Sequence, residues 1–272
     1  MGAGTIGLWT AATGMQAMQT SIDVIANNLA NVNTTGFKDS KASFQDLLYA
    51  NRRPAGGATS ETGTMVPVGI QLGHGVKVAG ISKQFTQGSA VSTSDAAFNV
   101  DMMVQGKGFF QVELPNGDTA YTRDGSFEIS NDGNIVTHDG YPVVGGAVGI
   151  DPSTHTRIAI ERTGSIGFAI AEAPGFVADQ GQIQLASFVN PGGLAAIGNN
   201  LFVESLASGA PQVSNPDENG TGHLIHHALE QSSVNMVTEM VEMIASQRAY
   251  EIGTKSIQTA DGLLQQLIAM KR

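Results

Sequence analysis

From Leu8 onward the apolar residues fall at Leu8, Ala11, Met15, Met18, Ile22, Ile25, Leu29 and Val32, in steps that alternate between 3 and 4. That spacing is a heptad seam and predicts a long N-terminal helix within residues 1–36. Gly14 weakens such a helix by about 1 kcal/mol relative to Ala, so packing has to support it. The run Asn31-Val32-Asn33-Thr34-Thr35-Gly36 is a helix stop, with αL-tolerant Asn, β-branched Thr and a closing Gly.

The other end repeats the pattern. Met236, Met240, Met243, Gln247, Tyr250, Thr254, Ile257, Asp261, Leu264 and Ile268 step by 4 and 3, and Val234, Val237, Val241 and Ile244 widen the apolar face. A helix of roughly 38 residues, some 57 Å long, is predicted from about Ser233 to Met270, with Ser232 or Ser233 available to cap it. Two such seams at opposite ends of one chain are read as pairing with each other and with copies in neighbouring subunits. Their polar faces carry mostly Gln, Asn, Thr and Ser, which gives little self-repulsion.

Between the ends the period is 2 and the punctuation is Gly. Val100, Met102 and Val104 alternate, Phe109–Leu114 follows, and Pro115-Asn116-Gly117-Asp118 is a hairpin turn. Tyr121–Arg123, Ser126–Ile129 and Ile135–Thr137 continue the series around a second turn at Asn131–Asn134. Further short strands are predicted at Arg157–Glu161, Ile166–Ile170, Ile183–Val189 and Leu201–Glu204. Short strands with no helix between them indicate an antiparallel barrel or sandwich-like domain. Residues 47–69 fit neither period. They read either as a solvated linker or as an extended arm, anchored by Leu47, Leu48, Tyr49, Met65 and Val66 and stiffened by Pro54 and Pro67, that orders against neighbouring subunits.

The expected fold is therefore α+β. Helix 1–36 and helix 226–272 form a coiled-coil assembly domain, 37–98 connects, and 99–225 is a central antiparallel all-β domain. Seam residues expected at a subunit interface are Leu8, Met15, Met18, Ile22, Ile25, Leu29, Val32, Met236, Met240, Met243, Tyr250, Ile257, Leu264 and Ile268.

Composition narrows the function. The chain has 272 residues, only 14% of them charged, with 14 Lys and Arg against 24 Asp and Glu. A net charge of −10 excludes a basic nucleic-acid surface. The first 36 residues hold one acid and no base, and residues 228–272 hold five acids and four bases. The middle thus carries −8 of the total, and the helical ends are suited to burial in a partner. There is no cysteine, so disulfides, Cys zinc sites and thiol nucleophiles are excluded together. The first charged residue is Asp23, so no positive signal-peptide region is expected; no apolar run reaches 18 residues, so no membrane insertion is expected either.

Candidate chemistry is thin. His223, His226 and His227 cluster before the C-terminal helix, without an acid or Cys at a metal-ligand spacing. Gly106-Lys107-Gly108 precedes a strand rather than a helix N-terminus, unlike a phosphate cradle. Asp124, Asp132 and Asp139 lie in turn contexts; a glycosidase-like carboxylate pair or a calcium loop would have to come from them, but no EF-hand ligand series follows. No Gly-x-Ser-x-Gly elbow exists. A secreted carbohydrate-active enzyme is the alternative from another class. Neither catalytic residue nor cofactor is expected.

Four motifs carry a resemblance. Ala26-Asn27-Asn28-Leu29-Ala30-Asn31-Val32-Asn33-Thr34-Thr35-Gly36-Phe37-Lys38 resembles the close of the N-terminal helix in the bacterial flagellar rod and hook proteins. Gln105–Val112, with Tyr121-Thr122-Arg123-Asp124-Gly125-Ser126-Phe127, resembles the opening of their β domain. Ser233–Val237 through Met243–Glu251 is similar to their C-terminal helix. Asp46-Leu47-Leu48-Tyr49 followed by Arg53-Pro54-Ala55-Gly56 resembles the distal-rod branch, with the proximal-rod and short-hook branches as alternatives. The resemblance covers nearly the whole chain and implies a non-enzymatic structural subunit of the flagellar basal body. It implies a helical homopolymer spanning the periplasm as a stiff shaft, and partners among proximal rod proteins, hook protein and the periplasmic and outer-membrane ring proteins. It also implies passage through the flagellar type III export apparatus without a cleavable signal peptide.

Overall fold

The computed structural model describes residues 3–53, 56, 68–149, 155–170 and 173–270. It divides into two compact units: residues 1–29, 40–82 and 236–272 form one, and residues 30–39 and 83–235 form the other.

The first unit is built on two helices, α1 (Ala3–Ala30) and α2 (Met236–Met270). A two-stranded antiparallel ribbon accompanies them. Ser40–Asp46 pairs with Val76–Lys83, and farther out Tyr49–Arg53 pairs with Ile70–Gly73 in the register Tyr49↔Gly73 and Arg53↔Ile70. The ribbon lies against α1 at Gly75, whose φ is 111° and where a Cβ would overlap Thr13 Oγ1. Only Gly satisfies both demands. Of the segment 47–69, Tyr49–Arg53 forms one strand of the outer ribbon, and Ile70–Gly73, just beyond the segment, forms the other. Pro54, Met65, Val66 and Pro67 lie outside the described residues.

The second unit is all-β among its described residues. A nine-stranded sheet runs through Phe109–Glu113, which pairs with Thr119–Thr122 on one side and Pro142–Ala147 on the other. The hairpin expected at Asn116-Gly117 closes the first pair, with Val112↔Ala120 in register. A three-stranded sheet of His155–Ile160, Ser165–Ile170 and Ala173–Gln182 and two short pairs complete the unit. Phe109 and Phe110 are adjacent and point to opposite faces, as strand geometry requires. Phe110 joins Met102, Val104, Phe127, Ile135, Ile158, Ile166, Phe168 and Leu185 in the larger core. Phe109 joins Tyr121, Ala186 and Phe202 in a smaller one, where Phe85 and Phe188 meet its ring edge-to-face. A sheet buried on both faces explains why this stretch lacks clean alternation.

One carboxylate lies under this unit. The side chains of Glu230 and Lys38 are fully buried and 2.6 Å apart. Glu230 Oε1 also accepts from Gly88 N–H at 2.8 Å and Gln87 Nε2 at 3.0 Å. Its Oε2 faces Arg123 Nη1 at 3.5 Å. Lys38 Nζ donates onward to the Thr86 carbonyl at 2.6 Å, and Arg123 Nη2 to the Gly106 carbonyl at 2.7 Å. Burial pulls the Lys38 ammonium below the ordinary lysine range, against the hydrogen bond and charge of Glu230. The backbone follows the same route. Gly36 N–H donates to the Glu230 carbonyl at 2.8 Å, and a Cβ on Gly36 would stand 2.6 Å from Asp124 N. Three motifs read separately in the sequence therefore meet here: Gly36-Phe37-Lys38, Arg123-Asp124 and the approach to α2.

The helix start differs from expectation. α2 begins at Met236, and the Ser233 hydroxyl does not cap it; Oγ donates to Asp39 Oδ1 at 2.6 Å and accepts Asp39 N–H at 2.9 Å. Asp39 engages this hydroxyl both as acceptor and as donor, and the Ser232 hydroxyl accepts Val234 N–H ahead of the helix, so neither serine caps it. Removing one member of a buried ion pair costs about 3–5 kcal/mol. Glu230→Gln is expected to lower stability in urea by that amount, followed by far-ultraviolet circular dichroism; a loss below about 1 kcal/mol would show that the buried charges are not what holds these segments.

Candidate assembly interface

The α1–α2 contact is antiparallel. Asn28 Nδ2 donates to Glu239 Oε2 at 3.2 Å, and Ser21 Oγ lies 3.4 Å from Ser246 Oγ. At the next layer a Cβ on Gly253 would stand 2.6 Å from Met15 Cγ and 4.0 Å from the Ala11 carbonyl. Glu239, Ser246 and Gly253 are seven residues apart, as are Asn28 and Ser21. The seam is heptad, but small and polar residues fill it, so the helices approach closely and bury little apolar area. Gly253 is required because Met15 occupies the space of its missing side chain.

Asn28, 2% exposed, holds this unit together. Besides Glu239 it exchanges two bonds with Ser40, Nδ2 to the carbonyl and Oδ1 from the N–H, each 2.9 Å. One amide thus ties α1, α2 and the first ribbon strand.

The apolar seam residues divide. On α1, Ile25 is buried, and Leu8, Met15, Met18, Ile22 and Leu29 are half-buried; Val32, expected on the same seam, is half-buried in the turn after the helix ends at Ala30. On α2, Met243 and Ile257 are half-buried, while Met236, Met240, Tyr250 and Ile268 are exposed; the Leu264 side chain lies outside the described residues. In the flanking stripe Val234 is half-buried, while Val237, Val241 and Ile244 are 72%, 62% and 56% exposed. Trp9 and Ile252 are uncovered as well. On the ribbon, Leu48, Tyr49, Val68 and Ile70 are exposed, and Leu47 is half-buried. Sequence reasoning assigned the seam by hydrophobicity and missed Ser246 and Gly253. The available signal was their seven-residue spacing from Glu239.

The other candidate groups have structural occupations. His223 lies 3.1 Å from Arg162 through Nδ1, and His226 stacks on His227. Asp124 Oδ1 accepts the hydroxyls of Thr35 and Ser126, and Asp139 accepts from Asn199. Both acids line a recess of about 190 Å³ with Thr122, Ser126, Phe127, Asn200 and Leu201. Gly106-Lys107-Gly108 is a turn between two strands, and the Lys107 carbonyl accepts Gly222 N–H at 2.6 Å. Among the described residues no group of three His, Asp or Glu side chains gathers to hold a metal, and no helix is long and apolar enough to cross a membrane.

The helix register has a direct test, because the chain has no cysteine of its own. Ser21→Cys combined with Ser246→Cys is expected to form an intramolecular disulfide under mild oxidant, seen as a faster band on non-reducing gels. Ser21→Cys with Arg248→Cys is expected to remain reduced; cross-linking of both pairs alike would contradict the layer assignment.

Three family descriptions match successive parts of the chain. "Flagella basal body rod protein" covers residues 8–38, "Flagellar hook protein FlgE/F/G D1 domain" residues 103–168, and "Flagellar basal body rod FlgEFG protein C-terminal" residues 226–270. Similar whole proteins carry one description, flagellar basal-body rod protein FlgG. That of Caulobacter vibrioides is 45% identical, over 95% of this chain and 96% of its own length. That of Buchnera aphidicola subsp. Acyrthosiphon pisum is 45% identical over 96% and 97%, and that of Borreliella burgdorferi 44% over 94% and 95%. With matched helices at both ends, a matched β region between them and such identity along nearly its whole length, the chain belongs to the FlgG family of structural flagellar basal-body rod proteins.

Proposed function

We propose that this chain is a subunit of the distal rod, a helical homopolymer that crosses the periplasm as a stiff shaft and transmits torque from motor to hook. The observation that carries the proposal is the α2 face of Met240, Val241 and Ile244, which stand 49%, 62% and 56% exposed among the described residues. Apolar area of this kind contributes about 25 cal/mol per Å² once buried, and a neighbouring copy supplies the cover. In this reading residues 1–36 and 226–272 are the assembly domain and 99–225 the β domain outside it. The seam residues Met236, Met240, Tyr250 and Ile268 then serve contacts between copies, while Ile25 and Met243 serve the pair within one copy. Proximal rod proteins, hook protein, ring proteins and the export apparatus are the partners such a shaft requires.

The ribbon is proposed as the stiffening arm. Tyr49 and Ile70 are exposed on paired strands and Leu48 and Val68 beside them, so inserting these residues between neighbours costs less ordering entropy than folding a free linker would. Pro54, Met65, Val66 and Pro67 belong to the same proposed arm.

Exposure makes both roles separable from folding. Val241→Asp or Ile244→Asp leaves the isolated chain within about 0.5 kcal/mol of the parent, because each site faces water there. The same change places a carboxylate in a dry contact between copies, at a cost of several kcal/mol per subunit. The expected outcome is a folded chain that does not polymerise, seen by sedimentation and electron microscopy; full-length rods from either variant would sink the assignment. Leu48→Ser with Tyr49→Ser is expected to polymerise into filaments that bend. Straight filaments matching the parent in persistence length would locate stiffness elsewhere.

A further inference from the structure

His227 is where a strand changes partner. His223–His226 pairs with Met102–Gln105, and Ala228–Glu230 pairs with Ala90–Ser92. The φ of His227 is 57°, a left-handed conformation that side chains with a Cβ rarely adopt. Two backbone bonds hold it there: its N–H donates to the Asp101 carbonyl and its carbonyl accepts from Thr93 N–H, each at 2.9 Å. Its ring stacks on His226 with centroids 3.7 Å apart and planes 28° from parallel.

The partners of His226 fix its proton. Nε2 stands 2.8 Å from the Asn99 carbonyl, which accepts and cannot donate, so Nε2 carries the hydrogen. Nδ1 accepts Ile160 N–H at 3.4 Å, so it carries the lone pair. The ring is therefore neutral as packed. A second proton on Nδ1 would displace Ile160 N–H and set a cation against the face of His227.

The surrounding charges come from three elements. Asp95, after the strand Ala90–Ser92, lies 3.1 Å from His227 Nε2. Arg157, on the strand His155–Ile160, pairs with the same carboxylate. On the histidine strand itself, His223 contacts Arg162, which pairs with Asp217 at 3.4 Å. Burial is the largest influence on His226 and disfavours its cation; His227 and Arg157 add to that, while the Asn99 bond and Asp95 oppose it, and the net position is below the ordinary histidine range.

We propose that the His226–His227 stack is an acid-released latch on the strand that leads into α2. Neutral, the stack holds the switch of pairing partner at His227 and keeps Ala228–Glu230 in register. Protonated at His226, it gives up the Ile160 bond, the strained turn relaxes, and the strand loosens. The open form binds the proton more readily than the closed one. The latch is therefore intact above the ordinary histidine value, and its contribution is lost as pH falls from there through the lower value of the closed state.

The test uses the full chain and amide hydrogen exchange at Thr93 and His227, corrected for the intrinsic pH dependence, between about pH 7.5 and pH 5. Opening is expected to increase by up to about tenfold per pH unit inside the window, the limit for one proton. His226→Gln keeps a donor for the Asn99 carbonyl and cannot take the proton, so its opening is expected to be flat with pH. Should that variant fail to fold, Asp95→Asn at an exposed site decides the matter. It removes the carboxylate that favours the cation and is expected to move the acid response to lower pH. A flat response in the parent, an undiminished response in His226→Gln, or an unmoved or raised midpoint in Asp95→Asn would each overturn the latch.

Discussion

Glu230 is a carboxylate with no access to water, and the arrangement of the β unit follows from surrounding it with two cations and with donors to Oε1. A buried anion is tolerated only when counter-charges and donors meet it with good geometry. The partners come from parts of the sequence that are far apart: Lys38 from the chain leaving α1 and Gly88 and Gln87 from the segment after the ribbon donate hydrogen bonds, while Arg123 from the end of a sheet strand supplies a counter-charge to Oε2. Each can reach Glu230 only if its own segment is in place. The network thus checks the fold as well as stabilising it. Arg123 adds a second layer, since its guanidinium rests 5.3 Å from the Phe109 ring and couples the ion cluster to the smaller aromatic core.

Asn28 plays the corresponding part in the helical unit. Its amide satisfies the Ser40 backbone in both directions and reaches Glu239, so the ribbon starts where α1 and α2 meet. Around it the helix pair is closed by Ser21, Ser246 and Gly253, not by large apolar side chains. Such a seam brings the helices close but gives up much of the hydrophobic gain of a Leu-rich coiled coil. The apolar residues turned outward remain available for other contacts. A marginal intramolecular pair with an uncovered apolar stripe is poor design for a monomer and suits a subunit.

The large features were legible in the sequence because they rest on period. The 3–4 spacing located α1 and α2, and Asn116-Gly117 located a hairpin of the nine-stranded sheet. What was hidden depends on partners distant in sequence. Nothing local distinguishes Lys38 or Glu230 from a surface charge, although Lys38 stood inside a motif. The α2 contact face was also hidden, because hydrophobicity marks the face that excludes water and cannot say whether the same chain or another copy does the excluding. Ser246 and Gly253 carry the intrachain contact, and small residues make no hydrophobic signal. Residues 47–69 read as linker or arm for a similar reason: Tyr49–Arg53 and Ile70–Gly73 are strands by pairing, and each alone lacks alternation.

Charge completes the argument about how these units divide the work. The helix-and-ribbon unit holds eight bases and seven acids, and the β unit six bases and seventeen acids. Setting aside Lys38, Arg123 and Glu230 as buried leaves the β unit four bases against sixteen acids. Copies of such a unit repel one another, and the repulsion is screened beyond about 8 Å at physiological salt. The near-neutral helices have no such penalty and carry the uncovered apolar face. Attraction and repulsion therefore reside in different units of one chain. In the proposed assembly the first favours association through the helices, and the second disfavours unspecific clumping through the β unit, so the division suits an ordered polymer over an aggregate.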